Sequence, residues 1–216
     1  MNTDSARVQM VSQQVRTWEV LDPRVLETMR AISRERFVPS AFANVAFADS
    51  RIPLAHDQVM LAPKVVGRIA QGLALRPTDR VLEIGTGSGY LTACLAYLAS
   101  HVTSIDIFAD LTERAAQALE AMACQNADLR TADAFTLPSN ERYDAIAITG
   151  SLPVYDARFE QLLKVGGRLY VAVGHSPVMD ARVVTRITED QWATNSLFET
   201  DVPALLNAPD PVEFRF

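Results

Sequence analysis

The stretch Arg80-Val81-Leu82-Glu83-Ile84-Gly85-Thr86-Gly87-Ser88-Gly89-Tyr90-Leu91 decides the fold. Val81, Leu82 and Ile84 read as a short buried strand, and three glycines at alternate positions follow at once. Leu91, Cys94, Leu95, Tyr97 and Leu98 then set up an apolar helical pattern, so the stretch predicts a strand, a tight turn and a helix. Glycine suits such a turn because it adopts backbone angles that a Cβ forbids and lets a ligand approach the main chain. The helix start offers unpaired amides and the positive end of a dipole to whatever sits there.

Spacing narrows the ligand. A dinucleotide fingerprint places its third glycine three residues after its second. Here the pattern is G-x-G-x-G, preceded by Glu83, which argues against a nicotinamide cofactor. A ribose-binding acid is expected about twenty positions further on, and Val102-Thr103-Ser104-Ile105-Asp106 is a strand pattern ending in one. Asp106 is therefore expected to bind an adenosine ribose. The combined pattern resembles the class I methyltransferases, and the resemblance implies S-adenosyl-L-methionine as cofactor and S-adenosyl-L-homocysteine as product.

Composition bounds the alternatives. The chain of 216 residues is long enough to bury a full core, and 49% hydrophobic with 21% charged residues excludes a disorder bias. A net charge of −6 lacks the surplus of Lys and Arg that phosphate backbones demand, so no nucleic-acid partner is expected. Cys94 and Cys124 lie in apolar helical stretches and read as small hydrophobes, suited to a reducing compartment. Neither an export signal nor an apolar run near eighteen residues is visible, so no membrane partner and a cytoplasmic location are expected.

In chain order, Val8, Val11, Val15 and Trp18 predict an amphipathic helix over 4–18, and Asp22-Pro23 starts a second. A third short segment runs through Val45–Asp49, a helix covers 64–74, and another spans about 110–123. Asp128–Ala134 and the apolar run Ala145–Thr149 read as strands, the latter buried on both faces. A helix near 155–164, a Gly166-Gly167 turn and a strand over 168–173 follow. Arg182–Ile187 and Ser196–Val202 then predict a hairpin, and the tail Pro211–Phe216 an edge strand, a cover for the cap or a segment that pairs with a second subunit. The fold class is α/β: a Rossmann-like, mostly parallel sheet with a C-terminal antiparallel hairpin and an N-terminal helical cap. One domain is expected, with a cap over 1–60, a cofactor-binding core over 61–203 and a tail over 204–216.

A narrower resemblance rests on several motifs in order. They are Met10-Val11-x-Gln13-Gln14-Val15-Arg16, Asp22-x-Arg24-Val25-Leu26-x-x-Met29, Arg34-x-x-Phe37-Val38-Pro39 and Asp49-x-x-Ile52-Pro53-Leu54. The glycine turn, Tyr143-Asp144-Ala145-Ile146-x-x-Thr149 and Leu163-Lys164-x-Gly166-Gly167-Arg168-Leu169 complete the set. Together they resemble the protein-L-isoaspartate O-methyltransferase family, whose enzymes methylate the free carboxylate of isoaspartyl residues in damaged proteins. The resemblance implies a cofactor site of Glu83, Gly85, Thr86, Gly87, Ser88, Gly89, Asp106, Ile107, Asp133, Ala134 and Thr149, with Asp133 near the adenine amino group.

One stretch departs from the family pattern. Members typically carry G-Q-T-I-S-x-P, whose serine lies beside the transferred methyl, whereas this chain has Asp57-Gln58-Val59-Met60-Leu61-Ala62-Pro63. Leu61 thus stands at the serine position and Val59 at the threonine. A carboxylate acceptor is ionised at pH 7 and needs no strong base, but it needs donors in place of water. The departure leaves three readings: the family reaction with a rearranged site, methyl transfer to a different protein or small-molecule acceptor, or a non-catalytic module that binds the cofactor. For the second, His56 or Asp57 is the candidate proton acceptor. Partners are accordingly a protein, peptide or small-molecule acceptor, with the chain a monomer or homodimer.

Overall fold

A computed structural model describes residues 3–138 and 140–209, so the tail Pro211–Phe216 lies outside the described residues. The first helix, α1 (Thr3–Met10), continues through a wide π turn (Val11–Val15) into a 3-10 turn (Arg16–Trp18). That widening gives the inner face to Met10, Val11 and Val15, so Val8, expected in the buried stripe, stays 51% exposed. Helix α2 (Pro23–Ala31) begins as predicted, with the Asp22 carboxylate accepting from the Arg24 amide at 2.8 Å and Pro23 in the first turn. A 3-10 turn at Ser40–Val45 takes the place of the third segment.

A small antiparallel pair, β1 (Ile52–Pro53) and β2 (Val59–Met60), leads into α3 (Pro63–Leu73). The predicted strand, turn and helix are β3 (Arg80–Ile84), residues 85–89 and α4 (Tyr90–Leu98). Next come β4 (His101–Asp106), α5 (Ala109–Glu120), β5 (Ala127–Thr131) and β6 (Tyr143–Leu152). Finally, β7 (Leu163–His175), β8 (Val178–Arg186) and β9 (Trp192–Thr200) close the sheet.

The seven strands lie in the order β5-β4-β3-β6-β7-β8-β9. The first five pair in parallel, while β8 runs antiparallel to both its neighbours, as the hairpin signal required. After β3 the chain builds outward through β4 and β5, then returns to place β6 on the other side of β3. Such a reversal opens a crevice at the carboxyl ends of the two central strands. It falls between Gly85, just past β3, and Thr149 on β6.

The helix expected at 155–164 is absent. Because β6 runs on to Leu152 and β7 starts at Leu163, only a short crossover remains, holding one 3-10 turn at Glu160–Leu162. Phe159 and Leu162 still anchor it in the core. The glycine pair expected as a turn lies inside β7, where Gly166 takes a positive φ of 81° and the register against β6 shifts. Just beyond, Arg168 donates to Leu73 O, Ala74 O and Asp79 Oδ2, tying off the carboxyl end of α3.

The cap shares its core with the sheet helices. Met10, Val15, Val25 and Met29 belong to the same buried cluster as Ile69, Leu73 and Leu95. Gly89, at the start of α4, has a φ of 83°, and a Cβ there would lie 2.8 Å from the Ala115 Cβ on α5. Gly89→Ala combines left-handed strain with overpacking, so it is expected to lose about 2–4 kcal/mol of stability. Chemical denaturation measures this; a loss below about 1 kcal/mol would show that α5 yields freely.

Candidate functional site

The crevice is a cleft floored by the turn after β3 and walled by β2, the β4–α5 junction and residues 203–206. Its floor is held by backbone bonds to the neighbouring strand. The Gly85 and Thr86 amides both donate to Ile105 O, at 2.8 and 3.1 Å, and the Gly87 amide donates to Asp106 Oδ2 at 2.9 Å. The Asp106 Oδ1 accepts from the Phe108 amide at 3.0 Å, so the carboxylate braces both the turn and the start of α5. Each oxygen retains a lone pair for a further donor.

Close approach explains the first glycine. Gly85 has a φ of 94°, and a Cβ would sit 2.2 Å from Thr149 Oγ1. That hydroxyl donates to Ile84 O at 3.1 Å and Gly85 O at 2.7 Å, bridging the gap between β3 and β6. Thr149 therefore serves first as a clamp on the turn, although it also lines the cleft.

Beneath the turn lies an ordered polar chain. Ser104 Oγ donates to Glu83 Oε2 at 2.6 Å, which commits its proton, so Thr86 Oγ1 is the donor in its 2.6 Å bond to Ser104. Thr92 Oγ1 donates to the same Glu83 oxygen at 2.5 Å. Oε1 of Glu83, in contrast, is buried with no partner among the described residues, and the residue lines the cleft. Burial pushes this carboxyl up to about 7, against the pull of the two hydroxyls and aided by the Asp106 charge. A buried carboxylate oxygen without a partner, on a residue that lines the cleft, suits a cationic ligand group.

Ile107 and Ala134 line the cleft beside Asp133. Asp133 Oδ1 caps the turn that follows β5 by accepting from the Phe135 amide at 2.8 Å, and Oδ2 accepts from Asn207 Nδ2 at 2.9 Å. The structure thus brings Glu83, Gly85, Thr86, Gly87, Ser88, Asp106, Ile107, Asp133, Ala134 and Thr149 to one cleft. Gly89 lies one step behind it, packed on α5.

The two candidate bases are not brought there. His56 and Asp57 occupy the central positions of a turn from Ala55 to Gln58, with φ of 58° and 57°. Both angles positive is the geometry of a type I′ turn, which explains a family preference for glycine at position 57. His56 turns outward instead, stacked 3.9 Å from the Phe108 ring and bonded through Nε2 to Asp110 Oδ1 at 2.8 Å. Neither residue is among those that line the cleft, and both sit at the tip of the hairpin. Leu61 does line it, together with Gln58, Val59 and Met60, and so forms an alkyl wall where the family has hydroxyls.

Residues 203–206 form a wall that the sequence reading assigned largely to a tail. Ser151 exchanges backbone bonds with Pro203 and Leu205, at 2.9 Å each, and Leu205 packs so closely that a Cβ on Gly150 would lie 2.8 Å from its Cδ2. Gly150 and the Leu205-Leu206 pair were the available signals, since a glycine after a buried strand marks a close approach.

Comparison with known proteins gives the family and the shared fold. The family model described as protein-L-isoaspartate (D-aspartate) O-methyltransferase matches residues 5–203. The chain belongs to that family. A Syntrophus aciditrophicus relative named protein-L-isoaspartate O-methyltransferase is 38% identical over 185 residues, 85% of each chain. One from Rhodopseudomonas palustris with the same name is 35% identical over 201 residues, 92% of each. Among solved structures, a Plasmodium falciparum chain of this description, in complex with S-adenosyl-L-homocysteine, superposes with a TM-score of 0.79 at 17% identity. It covers 92% of this chain and 97% of that one, and it shows the shared fold.

Glu83 gives this site a pH signature. Because its folded value is raised from 4.5 to about 7, its contribution to stability is whole below pH 4.5 and lost as pH rises through 7. Glu83→Gln is therefore expected to gain about 1–3 kcal/mol over the native protein at pH 8 and nothing at pH 4. Denaturation at both pH values measures it; an equal difference at both would contradict the assignment.

Proposed function

We propose that this chain binds S-adenosyl-L-methionine in the cleft and methylates the free carboxylate of isoaspartyl residues in proteins. The observation that carries the cofactor reading is the unpartnered Glu83 oxygen beside a positive-φ glycine turn that Asp106 braces. Glu83 Oε1 takes the cationic amino group, Asp106 the ribose hydroxyls, and Asp133 with Ile107 and Ala134 the adenine. Gly85, Thr86, Gly87 and Ser88 form the turn beneath the cofactor, the first three amides being held by Ile105 O and Asp106, and Gly89 and Thr149 hold its shape. When bound, the cofactor supplies a methyl group on a sulfonium sulfur.

The protein's own contribution is alignment and exclusion of water. An acceptor carboxylate is already ionised at pH 7, so the chain's residues need move no proton and need only hold its oxygen in line with the methyl group that a bound cofactor would supply. Orientation alone supplies roughly 7–11 kcal/mol in favourable cases. Leu61, Val59 and Met60 on one side and Leu205 and Leu206 on the other make a water-poor slot for the acceptor.

That slot also favours a second reading. The hydroxyls of Thr86 and Thr149 are spent on Ser104 and on backbone carbonyls, and the Gln58 side-chain amide donates to His56 O. A wall with so few free donors suits a neutral acceptor flanked by apolar groups better than a carboxylate. Transfer of labelled methyl to an isoaspartyl peptide, with the aspartyl peptide as control, separates the two. Turnover on the isoaspartyl peptide alone supports the first reading; cofactor binding without turnover on it overturns the first and leaves a different acceptor or a non-catalytic cofactor-binding module.

Two variants follow. Asp106→Ala removes a charged acceptor and frees two amides, so S-adenosyl-L-homocysteine should bind at least about tenfold more weakly by calorimetry; unchanged affinity removes the ribose assignment. Val59→Thr with Leu61→Ser should raise turnover on the isoaspartyl peptide about tenfold or more. No gain would mean that the acceptor carboxylate is held by other groups.

A further inference from the structure

Arg34 is fully buried, and among the described residues it has no carboxylate partner. Asp49, whose charge does reach it, is held by Lys64 Nζ at 2.8 Å. The guanidinium instead lies over the Tyr90 ring, 4.9 Å from its centroid, and donates from Nε to Ala46 O and from Nη2 to Leu61 O, both at 2.9 Å. Its Nη1 is buried with no partner among the described residues. Burying a cation this way is costly unless its geometry is needed.

The contacts indicate what that geometry does. Leu61 and Tyr90 both line the cleft, Leu61 on the acceptor wall and Tyr90 at the first position of the helix after the glycine turn. Ala46 belongs to the cap, where Gln14 Nε2 donates to the neighbouring Phe47 O at 3.0 Å. One rigid fork therefore ties the cap to the acceptor wall while resting on the cofactor side. Lysine offers a point charge rather than a planar pair of donors and cannot reproduce this span.

We propose that Arg34 is a positioning residue that fixes the Val59–Leu61 wall against the cofactor turn and so sets acceptor affinity. The link to turnover rests on the isoaspartyl reading above; the link to the wall does not. Arg34→Lys and Arg34→Met are the variants, with Asp22→Ala as a destabilised control remote from the wall. Hydrogen exchange in the free protein should quicken about tenfold or more at residues 60–62 in both Arg34 variants, because a buried carbonyl loses its donor. Residues 81–84 should not change, and the control should leave 60–62 at the native rate.

In the same preparations, KM for the isoaspartyl peptide should rise about tenfold, while kcat and the affinity for S-adenosyl-L-homocysteine stay near native. Unchanged exchange at 60–62, or a loss of cofactor affinity equal to the rise in KM, would overturn the proposal. If Arg34→Met does not fold, Arg34→Lys decides it alone. A native protein inactive on the peptide would count against the isoaspartyl reading, and exchange would still decide the role of Arg34.

Discussion

The Asp106 carboxylate is the contact on which the site depends. It accepts the Gly87 amide on one oxygen and the Phe108 amide on the other, fixing the turn after β3 relative to the start of α5. Charge-assisted bonds of this kind are the stronger ones. With Ile105 O taking two more amides of the same turn, the backbone there is shaped before any ligand arrives. The remaining polar features adjoin that turn: Glu83 is held by Ser104 and Thr92, and Thr149 clamps the turn across the β3–β6 gap.

The cleft is divided in its chemistry. Its cofactor half is polar and ordered, with a buried acid whose second oxygen is unpartnered. Its acceptor half is alkyl, made by Val59, Met60, Leu61, Leu205 and Leu206. Membership of the protein-L-isoaspartate O-methyltransferase family accounts for the first half directly. The second half is where this chain differs from the family pattern, with alkyl side chains at Val59 and Leu61 in place of hydroxyls. Arg34 matters in that setting, because a wall without side-chain donors depends on where its main chain is held.

Much of this was legible in the residues. The Arg80–Leu91 stretch carried strand, turn and helix because alternating glycines after an apolar run have few other uses, and Asp106 was found by its spacing from them. The cap of α2 was readable from Asp22-Pro23, and the final hairpin from two apolar runs separated by a short polar stretch. The helix at 155–164 failed because helical spacing in the sequence does not reveal that β6 and β7 lengthen at its expense. His56 and Asp57 admitted two readings, a polar turn or a base, and two successive positive φ angles show the turn. The wall from Pro203 to Leu206 has no local periodicity; it is set by bonds to Ser151, about fifty residues away. Arg34 was visible only as a motif residue, since burial of a cation is invisible without its surroundings.

The most direct measurement is calorimetric titration of S-adenosyl-L-homocysteine at pH 7 in two buffers of different ionisation enthalpy. A cationic group settling beside Glu83 should ionise it, so binding is expected to release about half a proton per ligand, a release that Glu83→Gln abolishes. Tight binding with the same enthalpy in both buffers would contradict the placement of the cofactor amino group at Glu83, and with it the account of the cleft.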